Sequence, residues 1–162
     1  GGAALVLRYF DRRLTSDVDL RSMNFELIQP SAEAVADKNG WDPDWINNSA
    51  TQFVPSLGKS VTWETLYENQ GVSFKVTTPE VMLVMKLAAS RTGRDDQDIA
   101  NLLAITGFTT IGELEELYEE YFPGDVLPQK ALRMINSIFE SGLPEVPETP
   151  LPPVLERGVD NS

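Results

Sequence analysis

The chain has 162 residues and a formal net charge of −12, and it contains no cysteine and no histidine. Its length suits one compact domain, and an apolar fraction of 41% is enough for a hydrophobic core. The missing residue types exclude disulfides, zinc–thiolate sites, Cys or His nucleophiles and a Ser-His-Asp triad from this chain. Any acid–base or metal chemistry must therefore use carboxylates, Lys, Tyr or water.

The start of the chain predicts a helix followed by a strand. Residues 3–10 form an apolar segment opened by Gly1-Gly2, as expected of a short helix. Residues 16–20 alternate in polarity, which predicts a strand with Asp17 and Asp19 on one side. Because the chain begins without Met, we expect a further segment upstream of it.

The next segment predicts a helix followed by a long loop. Residues 23–28 are expected to extend a hairpin or to form another strand. Pro30-Ser31 then opens a helix over residues 31–39, with Ser31 as its N-cap and Gly40 as its C-terminal stop. A loop over residues 40–58 follows, rich in Asn, Asp, Pro and Trp.

The rest of the chain predicts one hairpin, four helices and a tail. Residues 60–68 and 72–77 read as two strands joined by the turn Asn69-Gln70-Gly71. Capping signals place four helices in order: one from Thr78-Pro79 to about Ser90, one from Asp95 to Gly107, one over residues 111–121 with a Thr110–Glu113 capping box, and one from Pro128 to Gly142.

These elements predict an α/β (α+β) fold, with a small mixed sheet, flanking helices and a helical C-terminal half. We expect an α/β core over residues 1–92 and a helical region packed on it over residues 93–142. Residues 143–162 should form an extended or disordered tail, because prolines are concentrated there.

Asp17 and Asp19 are the sharpest chemical feature of the sequence. Two carboxylates on one side of a strand repel unless a cation lies between them. Oxygen ligands suit Mg²⁺ or Mn²⁺, and Gly1-Gly2 at a helix start offers backbone N–H groups to phosphate oxygens. The combination predicts a metal–nucleotide site, although an isolated Asp-x-Asp is more often a solvated strand face or turn.

A Gly-Gly pair, a short helix and an Asp-x-Asp strand, in that order, resemble the signature of the nucleotidyltransferase (DNA polymerase beta-like) superfamily. The segment GGAALVLRYFDRRLTSDVDL is similar to the branch that contains AbiEii-type toxins and related bacterial nucleotidyltransferase-like proteins. Three later segments also resemble that branch: 41–47, Lys86 to Arg91, and Arg94-Asp95 through Asp98-Ile99.

The resemblance implies a Mg²⁺-dependent (or Mn²⁺-dependent) transfer of a nucleoside monophosphate from an NTP to an RNA or protein acceptor. The enzyme could be the toxin of a toxin–antitoxin pair, with an antitoxin protein as partner. Asp17 and Asp19 are then the metal ligands. The expected catalytic residues are Asp17, Asp19, Lys86 and Asp98, and the expected nucleotide-binding residues are Gly1, Gly2, Arg13, Thr15, Ser16 and Lys86.

Lys86 is the only charged residue in the apolar segment VMLVMKLAAS, which predicts that it is buried. Its ammonium is expected on a phosphate or on Asp98, and the alternative is a stem that extends to the surface. Asp95 is expected to cap the following helix. Arg13 is expected to neutralise a phosphate or pair with Asp17. Arg91 and Arg94 are expected to form structural salt bridges, and the alternative for both is a functional role.

One departure from the superfamily concerns a third carboxylate on a later strand. The strand VSFKVT carries Lys75 and no acid, and Glu64 and Glu68 on the preceding strand are the possible substitutes. The alternative function is therefore a catalytically weak nucleotide-binding or protein-interaction module with the same fold.

The remaining expectations concern surfaces and setting. The acidic residues of helix 111–121 are expected to form a solvated face, and Trp41, Trp45 and Trp63 to lie in the core or a lid. The negative charge argues against a broad nucleic-acid footprint. No apolar run reaches the ~18 residues of a membrane span, and no signal peptide is visible, so we expect a cytoplasmic protein without a membrane partner.

Overall fold

A computed structural model describes residues 1–11, 15, 17–69 and 71–151. Within these ranges the chain is a mixed α/β protein with six α-helices and two two-stranded sheets. The helices are α1 (Gly2–Arg8), α2 (Phe25–Asn39), α3 (Pro79–Ala89), α4 (Asp96–Thr106), α5 (Ile111–Tyr121) and α6 (Gln129–Ser141). The strands are β1 (Val18–Asp19), β2 (Ile46–Asn47), β3 (Trp63–Asn69) and β4 (Val72–Thr77), and a 3₁₀ helix spans Ser49–Phe53.

The strands form two separate sheets, whereas the sequence predicted one small mixed sheet. β1 pairs in parallel with β2, with Val18 opposite Ile46, and β3 pairs antiparallel with β4. The two sheets are not hydrogen-bonded to each other. Residues of both sheets line the same cleft, which lies between them. β2 falls inside the segment predicted as a loop, because a two-residue strand has no periodicity to detect.

Helix α2 corrects two predictions about residues 23–39. It begins at Phe25 and continues through Pro30, so residues 23–28 do not form a strand and Ser31 is not an N-cap. A proline within a helix costs one backbone hydrogen bond but does not always end the helix. Here a hydrogen bond from Gln29 Nε2 to Glu33 Oε1 (3.0 Å) spans the proline. The predicted stop is correct, since Gly40 adopts the left-handed φ of 65° that glycine tolerates.

The hairpin and the last four helices confirm their sequence signals. β3 and β4 are joined at Gly71, and α3 begins at Pro79 after Thr78. Thr110 and Glu113 form the predicted capping box: the Glu113 backbone N–H donates to Thr110 Oγ1, and the Thr110 backbone N–H donates to the Glu113 carboxylate. Side-chain capping thus marks the start of α5, whereas Thr78 occupies the N-cap position of α3 without forming a side-chain capping hydrogen bond.

The hydrophobic core lies mainly between helices. α3 is buried along most of its length and packs against α4 and α5, and Leu5 and Phe10 join the same core from the first residues of the chain. The β3–β4 hairpin contributes Val76 and Thr77 to the buried residues and is otherwise largely exposed. Side chains on both sides of the predicted boundary at residues 92 and 93 thus share one core.

Two further findings concern the tail and membranes. Residues 143–151 form neither helix nor strand, and the remainder of the predicted tail lies outside the described residues. Across the described ranges, none of the helices combines the length and the apolar character that crossing a bilayer requires.

Candidate functional site

The start of α1 and the end of β1 meet at Gly1 and Asp19. A Cβ atom built on Gly1 would lie 2.7 Å from Oδ2 and 2.9 Å from Cβ of Asp19, which is closer than real Cβ contacts. Only a glycine allows this approach of backbone to carboxylate. The fold therefore brings together the two motifs that the sequence singled out, although eighteen positions of chain separate them.

Two clefts open on either side of this meeting point, and Gly1 and Asp19 line both of them. The first, of about 480 Å³, is mostly apolar and lies between α1, α2 and the β3–β4 hairpin. The second, of about 270 Å³, is bounded by α3 and the 3₁₀ helix, and its lining includes Lys86 and Arg91. Three charged residues thus border the second cleft: Asp19, Lys86 and Arg91.

Asp17 is held by Thr15 and Arg94. The Thr15 hydroxyl donates to Asp17 Oδ1 at 2.6 Å, and Arg94 Nη2 lies 3.8 Å from Asp17 Oδ2. The Thr15 hydrogen bond, followed by the charge of Arg94, lowers the pKa of Asp17 against a smaller opposing effect of burial. Thr15, predicted to bind nucleotide, therefore contacts a predicted metal ligand instead of facing either cleft.

Lys86 is buried, as predicted, and contacts two carboxylates. Its Nζ lies 2.6 Å from Asp95 Oδ1 and 2.8 Å from Asp98 Oδ2, and the Lys86 side chain is only 6% exposed. The predicted contact with Asp98 is present, and the alternative of a stem extending to the surface is wrong. The cause is that α3 is buried from Val81 to Leu87, which takes Lys86 into the interior with it.

Asp95 corrects the prediction that it caps a helix. It occupies the N-cap position of α4, but its side chain makes no capping hydrogen bond and is fully buried. Instead it accepts from Lys86 and from the Arg91 backbone N–H (3.1 Å), Nε (3.0 Å) and Nη2 (3.2 Å). Two cationic partners stabilise a buried carboxylate more than the dipole at a helix terminus does.

Burial acting alone would raise the pKa of Asp95. Hydrogen bonds from Arg91 and Lys86 outweigh that effect and hold the pKa below its ordinary value. Asp95 therefore remains a carboxylate that links α3 to the loop before α4. The sequence carried a usable signal for it, because Arg91 and Asp95 are four residues apart and Lys86 needs a buried partner.

The other predicted site residues are distributed as follows. Gly2 is buried as the first residue of α1, and Arg91 and Arg94 form the expected salt bridges, with Asp95 and Asp17 respectively. Arg13 and Ser16 lie outside the described residues.

The candidate substitutes for a third carboxylate do not reach the site. Glu64 pairs with Arg8, whose Nε lies 3.1 Å from Glu64 Oε2, and neither Glu64 nor Glu68 lines a cleft. Within the described part of the chain, no three acidic residues are grouped closely enough to hold a metal ion. Asp17 and Asp19 thus have no third acid beside them among these residues.

The tryptophans and the acidic helix occupy the surface. Trp41 is 52% exposed and packs edge-on against Trp45, and Trp63 is partly exposed at the first cleft, so none of the three lies in the buried core. The five glutamates of α5 are exposed, as expected of a solvated face: Glu113, Glu115, Glu116, Glu119 and Glu120.

Comparisons of the chain with protein-family models, with curated proteins and with solved structures found no match.

Proposed function

We propose that this chain is a nucleotidyltransferase-like protein that binds an NTP together with Mg²⁺ where Gly1 meets Asp19. The observation that carries the proposal is the close approach of the Gly1 backbone to the Asp19 carboxylate, beside a cleft lined by Lys86 and Arg91. A carboxylate that can hold a cation, beside a cleft with a cationic side chain, is what a metal-bound polyphosphate requires.

Asp17 and Asp19 are the residues that would hold the cation. Their donor set fits Mg²⁺ or Mn²⁺, because both ions prefer carboxylate oxygens and Mg²⁺ commonly takes one or two of them together with substrate phosphates. When bound, the cation would neutralise negative charge on the phosphates. Thr15 fixes the Asp17 carboxylate through its 2.6 Å hydrogen bond, and the backbone nitrogen of Gly1, which lines both clefts, is assigned to phosphate oxygens.

The proposed reaction is an in-line displacement at the α-phosphorus of the NTP. A hydroxyl oxygen of the acceptor forms the new P–O bond, the bond to the β-phosphate oxygen breaks, and pyrophosphate leaves while the hydroxyl proton passes to solvent. Asp98 is buried within 2.8 Å of Lys86, a contact that supports an orienting function for Asp98 over a direct contact with the acceptor.

The acceptor class and the partner follow from the resemblance in the sequence. An RNA, including tRNA, or a protein side chain would supply the hydroxyl, and an antitoxin would be the partner if the protein acts as a toxin. The net charge of −12 favours a small acceptor contact over a broad RNA footprint.

The second candidate is a nucleotide-binding or protein-interaction module with weak or no catalysis. The absence of a third acid beside Asp17 and Asp19, within the stretches that the structure describes, favours it. Such a module would bind the same ligand without transferring a nucleotide.

Thermal unfolding with and without NTP and Mg²⁺ tests the binding proposal. We expect stabilisation that needs both ligands together and is lost in the variant Asp17→Asn with Asp19→Asn. The control is Asp42→Asn with Asp44→Asn, because this second Asp-x-Asp is exposed and lines neither cleft. A shift that survives the first substitution, or one that is independent of metal, would contradict the proposal.

Transfer of label separates the enzyme from the binding module. The protein is incubated with Mg²⁺ and α-³²P-labelled NTPs together with total RNA or cell protein, and the macromolecules are then resolved. Label on a macromolecule, absent with the Asp17 and Asp19 variant, supports the transferase. Ligand-dependent stabilisation with no labelled product supports the second candidate.

A further inference from the structure

The charge of Lys86 is compensated inside the core. Two carboxylates, Asp95 and Asp98, lie within 2.8 Å of its ammonium, and both are buried with it. Moving this ammonium to a phosphate would leave two buried carboxylates without their cation, which costs several kcal/mol in proteins. Lys86 is therefore held in place by its own partners.

Arg91 differs from Lys86 in its exposure. Its side chain is 43% exposed and lines the second cleft together with Gly1 and Asp19. Asp95 accepts from Nε and Nη2 of the guanidinium, but a guanidinium carries five N–H donors, so others remain for a ligand in the cleft. Arg91 thus combines a fixed orientation with access to solvent.

Arg91 also shares the second cleft with Asp19, one of the two proposed metal ligands. The hydrogen bond to Asp95, outweighing burial, raises the pKa of Arg91, and the charges of Asp95, Asp19 and Asp17 raise it further. Arg91 is therefore a permanent cation at the place where the phosphates of a bound NTP would lie.

We propose that Arg91, and not Lys86, is the side chain that contacts the nucleotide phosphates, and that Lys86 positions it by way of Asp95. The inference rests on the proposed function, since it names the residue that recognises the polyphosphate at the same site. A planar guanidinium anchored on one edge by Asp95 presents another edge for paired hydrogen bonds to phosphate oxygens. Lys86 then acts as a positioning residue and does not touch the ligand.

Calorimetric titration with sodium tripolyphosphate and with Mg²⁺–NTP tests the inference on three proteins. We expect Arg91→Gln to weaken both ligands by about tenfold or more, the size of effect expected for a lost charge-assisted hydrogen bond. The control is Arg133→Gln, because Arg133 is an exposed arginine of α6 that lines neither cleft. Its binding should stay close to that of the wild type.

A measurement on the wild-type protein does not depend on how the variants fold. The side-chain ¹⁵N signals of Arg91 and Lys86 are followed by NMR during tripolyphosphate titration. We expect the Arg91 Nε signal to move to saturation, while the Lys86 Nζ signal keeps its ion-paired position.

The outcomes separate the two proposals. If the wild type binds neither ligand, both the proposed function and this inference are overturned. If the wild type binds but Arg91→Gln binds equally well, or if the Lys86 signal moves and that of Arg91 does not, the inference alone is overturned.

Discussion

The backbone of Gly1 lies against the side chain of Asp19, so that a Cβ atom on Gly1 would stand 2.7 Å from Oδ2 and 2.9 Å from Cβ of the acid. Rotation of the Asp19 side chain could relieve the first of these contacts but not the second, because Cβ is fixed to the backbone. A single methyl group on Gly1 would therefore push helix α1 and strand β1 apart.

Gly1→Ala should therefore move α1 away from Asp19. We expect Mg²⁺–NTP binding to weaken by roughly tenfold or more, since small displacements of positioning groups have large effects. The control is Gly112→Ala, because a Cβ at Gly112 meets nothing within 4 Å. Equal affinity in Gly1→Ala and the wild type, measured by calorimetry, would show that the close approach does not serve the ligand.

Lys86→Met should destabilise the fold far more than loss of a surface lysine. Removing the ammonium leaves the carboxylates of Asp95 and Asp98 buried without their cation, and we expect a loss of about 3 kcal/mol or more in the free energy of unfolding. Lys59→Met is the matched control. Lys59 pairs with Glu120 at 2.7 Å on the exposed surface, where solvent screens the pair, so its loss should cost far less stability.

Urea unfolding followed by circular dichroism compares the two lysine variants. If Lys86→Met and Lys59→Met lower the free energy of unfolding by similar amounts, the buried ion pairs of Lys86 stabilise the fold no more than a surface pair does.

The Asp17 carboxylate should titrate below its ordinary pKa of 3.8, principally because of the Thr15 hydroxyl. Because its folded-state pKa is lowered, ionised Asp17 stabilises the fold above pH 3.8, and this contribution is lost as the pH falls through the folded-state pKa. Carboxyl ¹³C NMR measures the titration directly. Thr15→Val should raise the Asp17 pKa toward 3.8, whereas Thr65→Val, on the exposed face of β3, should leave it unchanged.

An unchanged Asp17 pKa in Thr15→Val would contradict the assigned hydrogen bond. The stability difference between the wild type and Asp17→Asn provides a second check. It should be constant at neutral pH and shrink in acid; growth of the difference in acid would have the wrong sign.

Local chemistry in the sequence explains why α3 to α6 and the hairpin were predictable. Thr110 and Glu113 satisfy each other's backbone groups, and Gly107 adopts a left-handed φ of 77°, so the boundary signal and its physical cause lie within a few residues. Lys86 was predictable as a buried residue for a similar reason, because its neighbours on α3 are apolar on every side.

The predictions that were wrong concern features that depend on contacts between distant residues. β2 consists of Ile46 and Asn47, which are a strand only because β1 lies beside them. Helix α2 continues through Pro30, a residue that local rules place at a helix boundary. The sequence predicts a helix cap at Asp95, because its position before α4 is visible in the sequence. Its burial depends on Lys86 and Arg91, which converge on it only in three dimensions. Sequence reasoning predicted the contact between Lys86 and Asp98, but not the convergence of Lys86 and Arg91 on Asp95.

Thr77→Val is expected to stabilise the protein, which is unusual for a buried polar residue. Thr77 is 3% exposed and lines the first cleft, and among the described residues no group forms a hydrogen bond with its Oγ1. Replacing a buried hydroxyl that lacks a partner with a methyl group of the same shape removes a desolvation cost, so we expect a gain of about 1 kcal/mol. The Thr77 carbonyl still accepts from the Tyr9 hydroxyl, because the substitution leaves the backbone intact.

Thr106→Val is the contrasting variant: the Thr106 hydroxyl donates to the Leu102 carbonyl at 2.8 Å, and its removal should cost stability. Urea unfolding of both variants gives the comparison, and a loss of stability in Thr77→Val would mean that the hydroxyl has a partner in solution.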